Sequence, residues 1–206
     1  MGNIFNYDGP VIRIGNLIAS LLWLNILTIL CCIPIITAGA SLTAMHYVLL
    51  KISNDEDSKV SQCFFRALKE NMKKSTQIWL VYLVLSFVLI FDFLAIYQKA
   101  ISIPLVFQVI LVCIAIVLVL VMTWTFILQS RYENSNVRTV KNALLLTMLH
   151  PICSLVNLSS MLLPILLVIF LPRILPVTVA FWFTLPGFLQ VQSYRKVFDK
   201  LEEEKA

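Results

Sequence analysis

Residues 17–50 read LIASLLWLNILTILCCIPIITAGASLTAMHYVLL: an apolar run, a break from Cys31 to Ser41 that contains Pro34 and Gly39, and a second apolar run ending at Lys51. As one helix rising 1.5 Å per residue the stretch would be about 50 Å long, against a hydrocarbon core of about 30 Å. It cannot be one straight span. Pro34 removes a backbone donor and Gly39 tolerates non-helical angles, so a break is expected between them, near a membrane face where freed carbonyls can meet water or a neighbouring helix. The expectation is a span over 16–36, then a helix over 41–52 that is too short to cross alone. That favours one crossing with a cytoplasmic or interfacial extension over a full hairpin.

The whole chain has the same character. Of its 206 residues 60% are hydrophobic and 13% charged, where soluble domains carry about a quarter charged residues. The fold class this predicts is all-α: a polytopic membrane helix bundle of about five transmembrane helices with one cytoplasmic amphipathic helix, forming a single integral membrane domain over 1–206. The net charge of +5 does not point to nucleic acid, because an excess of Lys and Arg in such a chain marks its cytoplasmic segments. Cys31, Cys32, Cys63, Cys113 and Cys153 are odd in number, contain no C-x-x-C and fall mostly in apolar runs. They read as small buried hydrophobes, and neither a disulfide framework, a metal nor a cofactor is expected. Ala38-Gly39-Ala40 resembles a signal-peptide cleavage site, but the apolar run before it exceeds the usual 7–15 residues and only Arg13 precedes it as a base, so cleavage is not expected. Met1-Gly2 lacks the Ser or Thr that myristoylation wants four residues on, where Asn6 stands.

Further spans are expected over 77–97, 105–128, 152–171 and 177–194, the last with Pro186-Gly187 inside it. Asn54 to Ser58 offers an N-cap to the next helix, and Gln98 to Pro104 a tight turn. Pro151 divides an overlong stretch, 137–171, into an amphipathic entry helix and a span. Between Lys59 and Lys74, Val60, Cys63, Phe64, Ala67, Leu68 and Met72 form one helical stripe, with Lys59, Arg66, Lys69, Lys73 and Lys74 around it. Such a helix lies on anionic lipid or docks into a partner, and Phe64, Arg66, Leu68, Lys69 and Lys73 are its candidate contacts. Placing Lys51 to Lys74, Arg131 to Lys141 and the tail on one side gathers 13 of the 16 Lys and Arg. The positive-inside rule makes that side cytoplasmic, so five spans would put the C-terminus inside and Asn3 to Arg13 outside, in a multi-pass protein of the cell membrane.

The Cys32 to Ser41 break, followed by Thr43-Ala44-Met45-His46-Tyr47-Val48-Leu49-Leu50-Lys51, Phe64-Phe65-Arg66-Ala67-Leu68-Lys69-Glu70-Asn71 and the late Ser193-Tyr194-Arg195-Lys196-Val197-Phe198, resembles the YesL-like family of bacterial integral membrane proteins across essentially the whole chain. Ala38 stands where a bulkier aliphatic residue is expected. The resemblance implies about five spans, a Gram-positive source, genes placed beside carbohydrate ABC transporter components and no established activity. It supplies no catalytic residues. The partners it suggests are ABC transporter permease or ATPase subunits, besides membrane lipid and a homo-oligomer.

Few residues carry chemistry of their own. Asp92 is the one acidic residue inside a predicted span, and intramembrane carboxylates are functional by default. A hydrogen bond to Gln108 at similar depth explains it structurally. With Asn157 these two form the candidate polar intramembrane site, around which a small oligomeric carrier or channel is the alternative to an accessory protein. Asn16 and Asn25 are the other amides in apolar surroundings, where interhelical hydrogen bonding is the commoner use. His46 and His150 lack acidic partners and read as structural, His150 as a cap for the carbonyl freed by Pro151. No phosphate-binding loop, nucleophile elbow or zinc motif occurs, so no enzymatic role is expected.

Overall fold

The computed structural model describes residues 10–54, 59–98 and 104–203. The 1–9 segment, the acidic turn over 55–58 and the link over 99–103 lie outside the described residues, and with them the myristoylation reading, most of the N-cap and most of the tight turn. Among the described residues the chain is all helical, in eight α-helices and two short 3-10 turns.

Helix α1 (Pro10–Cys32) starts on a proline, whose missing N–H is one that a first turn leaves unpaired anyway. It stops two residues before Pro34, as the steric demand of proline on its predecessor requires. A 3-10 turn (Ile35–Thr37) then reverses the chain into α2 (Ala38–Ser53). Thr37 Oγ1 donates to the carbonyls of Cys31 (2.7 Å) and Pro34 (2.9 Å), and Ser41 Oγ to that of Thr28 (3.1 Å). Contacts pairing residue 31 with 37 and 28 with 41 make α1 and α2 antiparallel. The expected single crossing with an extension is therefore corrected to a helical hairpin. Its tip, Ile33 to Ile36, is apolar and exposed.

Helix α2 is the most enclosed element, with Ala40, Ala44, Val48 and Leu49 fully buried. Its neighbour α3 (Val60–Tyr97) is one unbroken helix of 38 residues, about 57 Å long. The separate surface helix over 59–74 and span over 77–97 are thus one element. A change from basic to apolar composition does not break a helix, and no Gly or Pro occurs between Lys59 and Tyr97. Gly39 brings α2 against α3: a Cβ there would meet Trp79 Cβ at 2.5 Å and the Ser75 carbonyl oxygen at 2.9 Å. Thr43 Oγ1 and Ser75 Oγ hydrogen-bond at 3.0 Å, and Trp79 Nε1 donates to the Ile35 carbonyl at 2.7 Å.

Helix α4 (Leu105–Arg131) returns beside α3, with Tyr82 Oη and Thr125 Oγ1 3.0 Å apart. Beyond Tyr82 no described residue of α3 is buried, and none of α4 before Val121. Apart from Ser86, Asp92 and Gln108 this projecting hairpin is apolar, a surface that lipid and not water accommodates. Helices α5 (Asn136–Leu149) and α6 (Pro151–Phe170) meet at His150. The carbonyl that Pro151 cannot reach is that of Thr147. It accepts from Ser154 Oγ at 3.2 Å, the role expected of His150.

The predicted span over 177–194 is bent. After a 3-10 turn (Pro172–Ile174) come α7 (Leu175–Ala180) and α8 (Thr184–Glu203), meeting at 62°. The bend falls at 181–183 and not at Pro186-Gly187, since Pro186 lies in the first turn of α8, where proline is tolerated. Asn25 holds the bend: its Nδ2 donates to the Val179 carbonyl at 3.0 Å and its Oδ1 accepts from the Phe183 N–H at 3.0 Å. Helix α8 runs antiparallel to α6, with Gln190 Nε2 on Ser160 Oγ (3.0 Å) and Cys153 Sγ on the Ser193 carbonyl (3.9 Å).

Five helical segments are long and apolar enough to cross a membrane, namely α1, α2 with its 3-10 turn, α3, α4 and α6; the bent pair makes up to six. The number five matches the sequence reading, but α2 takes the place of 177–194. The chain is a multi-pass membrane protein built from three hairpins, α1–α2, α3–α4 and α6–α8. Arg195 Nη1 donates to the Ser53 carbonyl at 2.7 Å and the Arg131 guanidinium lies 4.8 Å from the Phe198 ring centroid. The ends of α2, α4 and α8 therefore converge, and the start of α1 lies with them. That puts Arg13 on the side of Arg195, a correction to the expectation of opposite sides; Asn3 to Gly9 lie outside the described residues.

Gly39→Ala is expected to lower stability by about 1–3 kcal/mol, the usual cost of overpacking. Gly15→Ala, whose added Cβ meets nothing within 4 Å, is expected to be neutral or to gain up to about 1 kcal/mol in helix propensity. Thermal unfolding in detergent followed by tryptophan fluorescence compares the two; equal midpoints would show that Gly39 is not a packing constraint.

Candidate functional site

A cavity of about 250 Å³ lies between α2, α4, α6 and the bent α7–α8 pair. Gly187 forms part of its wall by letting α8 approach α2, where a Cβ would meet Leu49 Cδ1 at 2.8 Å and Met45 Cε at 2.9 Å. Three polar side chains line it, His46 from α2, Thr123 from α4 and Gln190 from α8, along with the aromatic side chains of Phe126, Trp182 and Phe183. No Asp, Glu, Lys or Arg is among its lining residues.

Several of these groups are anchored from behind. Thr123 Oγ1 donates to the Leu120 carbonyl at 2.7 Å. Gln190 Nε2 rests on Ser160 Oγ, which itself donates to the Asn157 carbonyl at 2.8 Å. His46 differs: it is 4% exposed and its Nδ1 has no hydrogen-bond partner among the described residues. Behind Thr123 the Tyr194 hydroxyl faces Thr123 and Asn157 without closing a hydrogen bond to either, and both amide atoms of the fully buried Asn157 are likewise unpaired. The Tyr194 ring is fixed by Trp124, centroids 4.2 Å apart, and Trp124 Nε1 donates to Ser154 Oγ at 3.1 Å. A buried polar group left unpaired costs about 1–3 kcal/mol. Of these groups His46 lines the cavity, where a polar guest or ordered water would pair its Nδ1.

The arrangement suits binding better than covalent chemistry. His46 has no carboxylate or thiol among the residues that share its cavity, and the hydroxyl there, Thr123 Oγ1, is turned to the Leu120 carbonyl. Among the described residues no three His, Cys, Asp or Glu side chains gather as a metal would need.

The candidate residues from the sequence are dispersed. Asp92 is half-buried on the projecting part of α3, and Gln108 lies near the start of α4. Asn157 is beside Thr123, fifteen positions along α4 from Gln108 and so about 22 Å away. The three do not form one site, and none of them is among the residues that line the cavity. On α3, Phe64 is fully buried in the core formed with α1, α2 and α8, and Leu68 packs against it. Most of the apolar stripe proposed for partner docking is thus packed in the bundle, while Met72 is exposed. Arg66 is exposed and pairs with Glu70 at 3.0 Å, and Lys69 and Lys73 are exposed on the same open face. His46, Thr123 and Gln190 were not singled out as a site. Their one sequence signal is polarity within apolar runs.

Residues 18–93 match the profile of a family described as "Protein of unknown function, DUF624". The match runs from α1 through most of α3, so it includes the Pro34 break and the Gly39 contact, and its description carries no activity. No curated protein and no solved structure matches the chain.

Phe64→Ala is expected to cost about 3–5 kcal/mol as a core truncation, while Lys69→Gln with Lys73→Gln should shift stability by less than about 0.5 kcal/mol. Denaturation of the purified variants measures both. A Phe64→Ala protein as stable as the parent would return Phe64 to the surface.

Proposed function

We propose that this chain is a non-catalytic accessory protein of the cell membrane that takes a small, neutral, hydroxyl-bearing solute into the cavity between α2, α4, α6 and α8, and works beside the permease or ATPase subunits of a carbohydrate ABC transporter. The observation that carries the binding half is the cavity's lining: His46 with an unpartnered Nδ1, Thr123 and Gln190 together with Phe126, Trp182 and Phe183. A lining that mixes hydrogen-bonding side chains with aromatic rings fits a molecule that carries both hydroxyls and carbon-bound hydrogens. Neutrality follows from the absence of any charged lining residue, because an ionic guest would be desolvated without a counter-charge. The transporter half rests on the resemblance to the YesL-like family.

The orientation that agrees with this role has the converging helix ends in the cytoplasm. That side then holds Arg13 with the other thirteen bases, 14 of 16, and leaves Lys99 and Arg173 outside. In a cysteine-free background, Cys at position 13 should react with an impermeant maleimide only after permeabilisation, and Cys at position 99 before it. The reverse pattern would invert the protein.

Binding is tested with radiolabelled neutral mono- and disaccharides on protein in nanodiscs. His46→Leu and Gln190→Leu are each expected to weaken retention at least tenfold. His46→Leu should leave the unfolding midpoint unchanged or raise it, because it removes an unpaired buried group. Undiminished binding in both variants, or no saccharide bound by the parent, would overturn the solute reading. Failure to co-purify permease or ATPase subunits from native membranes would remove the transporter half alone.

A further inference from the structure

A second concavity lies on the other side of the bundle. Between α3, α4 and α5 runs an open groove of about 820 Å³ whose walls are Val81 and Leu85 of α3, Ile110 and Val117 of α4, and Val140 and Leu144 of α5. Along α4 it extends from Val109 to Val121, about 18 Å at the helical rise, close to the depth of one leaflet. Its only polar lining residues other than the Tyr82 hydroxyl and the Cys113 thiol are Gln77, Asn136 and Lys141. The first two are joined where α5 begins, Asn136 Nδ2 donating to Gln77 Oε1 at 2.9 Å.

The charge around that end is one-sided. Lys141 and Arg138, one turn apart on α5, are exposed, as are Lys73 and Lys74, one turn before Gln77 on α3. The nearby acids are Glu133, in the link before α5, and Glu70, which is already paired with Arg66. All three elements also change from polar to apolar at this level: α3 after Gln77, α4 before Gln129 and α5 after Asn142. A membrane–water boundary fits there. A body one leaflet deep without charge, ending in a cluster of cations with two amides, is the chemical complement of an acyl chain carrying an anionic headgroup.

We propose that this groove is a binding site for an anionic phospholipid, its acyl chain lying along α3 and α4 and its phosphate held by Lys141, with Arg138, Lys73 and Lys74 supplying the surrounding positive field. The site is separate from the cavity at His46, and the proposal stands whether or not that cavity takes a solute. A neighbouring protein helix would use the same walls but not the ring of cations.

Native mass spectrometry of protein released from nanodiscs made of equal parts phosphatidylglycerol and phosphatidylcholine tests it. The parent should retain one phosphatidylglycerol at least about tenfold more often than phosphatidylcholine. Arg138→Gln with Lys141→Gln should cut that preference at least fivefold without changing the unfolding midpoint. Leu85→Trp, which fills the groove, should remove the adduct of either lipid; Val117→Phe serves the same purpose should Leu85→Trp not fold. Equal retention of both lipids, an adduct that survives groove filling, or a lipid-free dimer that groove filling dissociates would overturn the proposal, the last by making a second copy the occupant.

Discussion

The contact of Gly39 with Ser75 and Trp79 sets the distance between α2 and α3, and the rest of the bundle is built on that distance. Between helices in lipid the hydrophobic effect contributes little, so association relies on close packing and hydrogen bonds, both of which favour small residues at the crossing. Helix α2 presents Gly39, Ala40, Thr43 and Ala44, while Ala67 and Ser75 are buried on α3. The indole of Trp79 then donates to the Ile35 carbonyl, a second bond to a group that also accepts the Ala38 N–H. With α3 drawn against α2, its first half must bury Phe64 and Ala67 and turn Arg66, Lys69 and Lys73 outward. A basic amphipathic sequence is thereby explained without a partner and without its apolar stripe lying on lipid.

The existence of the Pro34 break was legible because proline acts on its own neighbours. Its direction was not. Three 3-10 residues and an earlier helix start lengthen the second arm, and the reversal is held by Thr37 and Ser41, side chains that look unremarkable in an apolar run. The opposite error occurred on α3, where a shift in composition was read as a boundary although nothing in 59–97 breaks a helix. At the C-terminal end one span is expected over 177–194 with Pro186-Gly187 inside it, yet the helix is bent, at 181–183. The bend is made by Asn25, more than 150 residues away in sequence. A bend produced by capture from a distant helix leaves no local signal.

The same reasoning separates what could be read of the site from what could not. Asn157 was visible because an amide in an apolar span calls for a partner. Asp92 was more visible still, being charged, but it sits on the projecting hairpin, away from the enclosed polar groups. His46 and Gln190 are 144 positions apart, and only the approach of α8 to α2 through Gly187 makes them neighbours. Polarity marks candidates in a membrane sequence, whereas the packing of small residues decides which of them meet.

Helix α4 shows the rule within a single element. From Leu105 to Leu120 it is apolar except for Gln108, and no residue is buried; from Val121 to Ser130 every residue except Met122 is buried, and four of them are Thr123, Thr125, Gln129 and Ser130. In water the apolar half would be the interior. Here the order is inverted, because lipid solvates aliphatic side chains as well as a protein core does, while hydroxyls and amides must find partners inside the bundle. Each of the three hydroxyls reaches a carbonyl one turn back, Thr123 to Leu120, Thr125 to Val121 and Ser130 to Ile127, so they can be enclosed at low cost. The burial that positions the cavity therefore follows the density of small polar side chains along a helix and not its hydropathy, which is why the most apolar stretch of this chain lies farthest from its core.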